Sequence, residues 1–220
     1  MKNLLVPVII LTLLLLNSYS NAQIKVGIIG GINIASFHVN DDEISSRVLW
    51  GSGLIVNYGL SRYFSLQAEP IFLKKGGVKE QHELDPKLTL FQNFIEIPLL
   101  LNFNYGEISK IHLLAGPTIG FLLSSEMEVP LGDVVFEADL MDLTEKIDFG
   151  LCLGVGFSTE VSPGTLFAEI KYTLGLTNLA KTGTFTAKAG RLEVKGAFDA
   201  EESWYKSRGI QLFVGYKISI

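Results

Sequence analysis

The side chains of this 220-residue sequence with obvious chemical potential are three histidines, a lone cysteine and a dense group of carboxylates. His38 stands near Asp41, Asp42 and Glu43, donors that suit a metal ion, but their spacing matches no zinc-ligand signature. His82 is isolated. Glu126, Glu128, Asp133, Glu137, Asp139, Asp142 and Glu145 follow one another with no Lys or Arg between them. Carboxylate clusters can hold Ca²⁺, yet the D-x-D-x-D-G order is absent, and the stretch reads as a solvated, cation-attracting external loop. His112 has no Ser or carboxylate placed beside it by spacing, so a packed or hydrogen-bonded histidine is expected. Cys152 has no second cysteine to bond. The glycines at 27–31 and 154–156 match no nucleotide loop, and no G-x-S-x-G occurs. No catalytic, cofactor-binding or metal-binding residue is therefore assigned, and no enzyme is expected. The net charge of -5 argues against a nucleic-acid partner.

The elements around these residues are more informative. In the segment 205–220, Ile210, Leu212, Val214, Tyr216, Ile218 and Ile220 share one face, while Gly209, Gln211, Gly215, Lys217 and Ser219 share the other. Strands place successive side chains on opposite faces. The alternation recurs over 23–34, 49–60, 63–73, 91–104, 110–123, 146–161 and 165–176. The links at 61–62, 105–109 and 162–164 are tight. Those at 35–48, 74–90, 124–145 and 178–204 are long. Short and long links alternate, as in an outer-membrane barrel with periplasmic turns and external loops. The fold class is all-β: an eight-stranded antiparallel up-and-down transmembrane β-barrel. Ten strands would result if a hairpin at 184–197 joined the wall, although its charges favour a protruding hairpin.

Lys25, Glu69, Glu96, Glu160, Glu169, Lys171 and Lys217 all fall opposite the oily face. Facing lipid, a midplane Lys or Arg would cost about 2–4 kcal/mol. These charges are therefore expected inside, paired or wet, filling the narrow lumen together with glycines. Lys217 is expected to need one of the inward glutamates. Trp50, Tyr58, Phe64, Phe72, Phe94, Phe103 and Tyr216 are expected to form two interfacial girdles. The last strand should pair with the first, because an open edge is not tolerated in a bilayer.

Residues 1–22 read as a signal peptide: Lys2, an apolar stretch at 4–16, then Ser20, Asn21 and Ala22 before a cut at Gln23. Residues 23–220 form the barrel domain, and the expected location is the outer membrane. Outer-membrane lipid is the expected surrounding, with protein partners reached through the external loops or the periplasmic rim, and a monomeric state.

The opening QIKVGIIGGINIASF at 23–37, FQNFIEIPLLLNF at 91–103, HLLAGPTIGFLL at 112–123 and FAEIKYTLGLTNL at 167–179 resemble the PorT-like outer-membrane β-barrel proteins of Bacteroidota. The resemblance covers nearly the whole chain after residue 22. It implies an eight-stranded barrel with a mostly filled interior and supplies no catalytic residues. Ile220 departs from the aromatic C-terminus common in other outer-membrane barrels. The leading functional reading is a non-enzymatic barrel with a structural or interaction role. The alternative is a small porin or specific-solute channel, favoured by the glycine-rich inward faces and opposed by the interior charges.

Overall fold

Strict alternation leaves each segment with one face for hydrocarbon and one for the interior, and only a closed sheet satisfies every backbone group in lipid. The computed structural model describes residues 23–39, 42–43, 45–79, 88–131, 134–189, 192–198 and 205–220. Residues 1–22, where a signal peptide is expected, lie outside the described residues, as do His82, Asp41 and Asp133. The strands are β1 (Ile24–Val39), β2 (Asp42–Glu43), β3 (Ser45–Gly59), β4 (Phe64–Ala68), β5 (Ile71–Lys79), β6 (Leu88–Gly106) and β7 (Ser109–Leu131). They continue as β8 (Val134–Asp139), β9 (Ile147–Val161), β10 (Gly164–Gly175), β11 (Gly183–Ala189), β12 (Leu192–Phe198) and β13 (Tyr205–Ser219). No helix among the described residues is long and apolar enough to cross a membrane.

All pairings are antiparallel. β1 pairs with β3, β3 with both β4 and β5, and these two with β6. The wall continues through β7, β9, β10 and β13 and returns to β1. The first and last strands pair along their whole length, from Lys25↔Ser219 to Val39↔Tyr205. Counting β4 and β5 as one stave, the ring has eight. That stave breaks at Glu69-Pro70, because Pro70 has no N–H to give the ladder. The neighbours bridge the gap: the Leu54 N–H donates to Pro70 O at 3.0 Å, and the Glu69 N–H to Pro98 O at 3.2 Å.

Several strands outrun the segments expected from alternation. A membrane-crossing strand needs about 9–11 residues, whereas β7 has 23. The excess is taken up in pairing with β8, so the expected acidic loop is instead a hairpin of β7 with β8 and a short 3-10 turn at Met141–Leu143. The hairpin of β11 and β12 does not enter the wall. It pairs through β11 with β8, extending a projecting sheet.

The faces fall as the alternation requires. Ile28, Leu153 and Val214 are 66 %, 62 % and 62 % exposed on the outside, while Lys171, Gln211 and Glu169 are buried inside. A bulge at β7 shifts its pairing with β6 between Asn93/Phe94, from Asn93↔Ser124 to Phe94↔Leu122. Parity on β7 therefore changes: His112, Leu114 and Leu122 are buried, and beyond the bulge Ser125 is. Around the rim of short turns Tyr63 and Phe64 each pack on Phe103, and toward the opposite rim Trp50 packs on Phe72 at 5.4 Å. Phe94 is not part of a girdle. It points inward and is fully buried, because its position on β6 has the parity of Gln92 and Glu96.

The seam between β1 and β13 can be checked directly. Ile32→Cys with Leu212→Cys should form a disulfide under mild oxidation in membranes, since these residues are register partners. Ile32→Cys with Ile210→Cys should not. The opposite pattern, or no bond in either pair, would mean that the wall closes differently.

Candidate functional site

The lumen is filled in layers, and its charges meet across the barrel. Toward the long-loop rim, Lys75 Nζ lies 2.7 Å from Glu96 Oε2 and 3.0 Å from Asp148 Oδ2. The Ser207 hydroxyl donates to Asp148 at 2.7 Å, and Gln211 Nε2 donates to Glu96 at 3.2 Å. Toward the short-turn rim, Lys171 pairs with Glu69 and lies 3.4 Å from Glu169. His112 Nε2 is 3.3 Å from Glu169 Oε1. Gln67 donates to Glu169 at 3.0 Å and accepts from Asn57 and Asn102. Each network therefore sets one lysine between two carboxylates, all buried. Such pairs persist out of water only when further hydrogen bonds satisfy them.

An apolar layer lies beside the networks, formed by Ile29, Ile55, Ile71, Leu73, Phe167 and Phe213. Leu100, Leu114 and Cys152 form a second apolar group. The interior is therefore more than charge and glycine, which corrects the expected filling. The inward phenylalanines also receive ammonium groups: Lys75 over Phe94, Lys171 over Phe213 and Lys217 over Phe167, at 4.7, 4.9 and 4.9 Å. Inward glycines make room for these large side chains. A Cβ on Gly156 would collide with the His112 ring, and one on Gly215 would collide with the Phe167 ring.

The singled-out residues divide into three places. Glu69, Glu96, Glu169 and Lys171 sit in the two networks. Lys25, Glu160 and Lys217 line a cavity at the short-turn mouth, where Glu160 is exposed. Among the described residues no ion pair joins Lys217 to a glutamate, contrary to expectation. The carboxylates Glu69 and Glu169 are engaged by Lys171 and His112, and the ammonium of Lys217 rests on Phe167. Glu126, Glu128, Glu137, Asp139 and Asp142 line a groove of about 670 Å³ on the projecting sheet, joined by Glu193 of β12. Glu126 faces Asp139 and Glu128 faces Glu137 across the strands, so like charges oppose one another. Glu145 lies at the base, its N–H donating to Leu179 O at 2.9 Å. Among the described residues no group of three or more His, Cys, Asp and Glu could hold a metal ion. His38 is on β1, beside Glu43 on one side and Lys206 on the other.

Lys75 and Asp148 hold the upper network together, yet neither is among the inward charges named from the sequence. Asp148 lies on the inward face of its segment. Lys75 is hidden because Lys74-Lys75 resembles the start of a loop, although the inward parity of Ile71 and Leu73 continues to it.

A family model described as outer membrane protein beta-barrel domain matches residues 18–181. The chain belongs to that family. This outer-membrane barrel also resembles solved structures in fold. A major outer membrane protein from Thermus thermophilus is 11% identical, with 91% of this chain and 100% of that chain covered and a TM-score of 0.59. OprG from Pseudomonas aeruginosa is 8% identical over 90% of this chain and 97% of its own, with a TM-score of 0.47. The attachment invasion locus protein Ail of Yersinia pestis is 12% identical over 88% and 98%, with a TM-score of 0.42. No curated protein matches the chain.

The lower network gives a stability prediction. Lys171→Met leaves Glu69 and Glu169 buried without their cation and should destabilise the barrel by about 3–5 kcal/mol. Lys217→Met removes no ion pair and should cost less. Urea unfolding of the refolded protein, followed by heat-modifiable gel mobility, measures both. Little or no loss in Lys171→Met would mean that the Lys171 network does not bear on stability.

Proposed function

We propose that this outer-membrane barrel is a non-enzymatic protein with a structural or interaction role, a filled staff that presents a projecting sheet to the cell exterior. The filled lumen is the observation behind this reading. Two buried ion networks and an apolar layer occupy the cross-section that a porin leaves to water. Rigid walls with polar loops suit recognition. The acidic groove formed by β7, β8 and the β11–β12 hairpin supports a protein partner on the outside.

The non-enzymatic reading rests on the state of the reactive side chains. His112 is buried against Glu169, and Cys152 is buried in an apolar group. Neither lines the mouth cavity or the groove on the projecting sheet. Within the family, the motifs at 91–103 and 112–123 favour the PorT-like branch. Export through the leader at 1–22, cleavage before Gln23 and a monomeric state complete the proposal.

Conductance tests it. The purified barrel in planar bilayers should give no steady current, and liposomes carrying it should not swell in small sugars or amino acids. A steady, reproducible conductance would replace this reading with a specific-solute channel.

A further inference from the structure

The mouth at the short-turn rim encloses a cavity of about 380 Å³. Lys25, Lys110 and Lys217 line it, and Glu160 is the carboxylate among its lining residues. Arg62 also borders it, but its guanidinium is held by Glu107 at 3.1 Å. Asn104 and Thr165 add neutral polar groups, and Lys25 Nζ donates to Thr165 Oγ1 at 3.2 Å.

Lys217 distinguishes this mouth from an ordinary wet rim. It is 8% exposed. Its register neighbours are Gly27 on β1 and Thr165 on β10, neither of which can neutralise an ammonium. Among the described residues its observed side-chain contact is the ring of Phe167, and no carboxylate pairs with it. Taking a cation out of water without a counter-ion is costly. Here the cost is compounded, because Lys25 and Lys110 bring two more ammonium groups to the same cavity.

We propose that this cavity binds a small phosphate-type dianion, either free phosphate or the end group of a small phosphomonoester. Among the lining residues, with Arg62 offset by Glu107, three ammonium groups stand against one carboxylate, a local positive excess that the spread charge of a dianion meets better than a monocarboxylate. The phosphate oxygens are strong acceptors for charge-assisted hydrogen bonds from all three lysines. The volume lies within the range of small-ligand pockets, about 300–1,000 Å³. Short turns mark the periplasmic rim, so the ligand enters from the periplasm. The site is independent of whether the lumen above it conducts.

Calorimetric titration of the full-length protein, folded in nanodiscs, with inorganic phosphate and separately with glycerol 3-phosphate tests the proposal. Each probe should bind saturably to one site. Lys217→Gln and Lys110→Gln should each weaken binding about tenfold or more, and Lys181→Gln, far from the mouth, should leave it unchanged. Tighter binding of glycerol 3-phosphate assigns the cavity to a monoester, and equal binding assigns it to free phosphate. Heat-modifiable mobility confirms that each variant is folded, and half-buried Lys110 keeps the test open if Lys217→Gln does not fold. Absence of saturable binding by either probe, or affinity unchanged in the folded lysine variants, would overturn the site.

Discussion

Hydrocarbon offers a peptide group no hydrogen-bond partner, and the rest of this structure follows from that constraint. Every N–H and C=O at membrane depth must find its partner in a neighbouring strand. The eight staves meet the requirement by closing on themselves, and the break at Pro70 is bridged by a donor, Leu54 N–H, on one side and an acceptor, Pro98 O, on the other. Closure then dictates the side chains. One face of each strand must be apolar, and the other is confined to a narrow interior that it has to fill.

Filling that interior is an electrostatic problem. The barrel solves it by setting each central lysine between two carboxylates and surrounding both groups with amides and hydroxyls. Glycines opposite His112, Phe167 and Phe213 admit bulky groups without widening the wall. Aromatic rings below the lysines occupy space that water would otherwise take. Lys217 lies outside this scheme, one layer nearer the mouth, where the carboxylates are already engaged.

Much of the wall is legible from residue order alone, because period-two alternation is imposed by the same lipid that imposes closure. The strand positions, the β1–β13 seam and the inward glutamates follow from it. What alternation does not provide is partnership. Glu96 is visibly inward, but that Lys75 meets it depends on β5 continuing past an apparent loop start. The upper half of β7 is concealed for a different reason. A bulge reverses parity there, and carboxylates facing each other across strands look from sequence like a solvated loop. Phe94 and Phe213 are ambiguous because a large apolar residue suits lipid and a packed lumen equally well.

The pairing of β1 with β13 joins the two extremes of the described chain. Most contacts in the wall link strands adjacent in sequence and can form as soon as each hairpin is available. The seam cannot form until Tyr205–Ser219 has arrived. Closure therefore has a single late event: β13 must be in place, with the free edge of β1 held open until then, before the sheet can be sealed. A sheet that lacks β13 is left with two raw edges, on β1 and β10, so an open wall differs from a closed one by exposed pairing groups that either edge presents to any strand nearby.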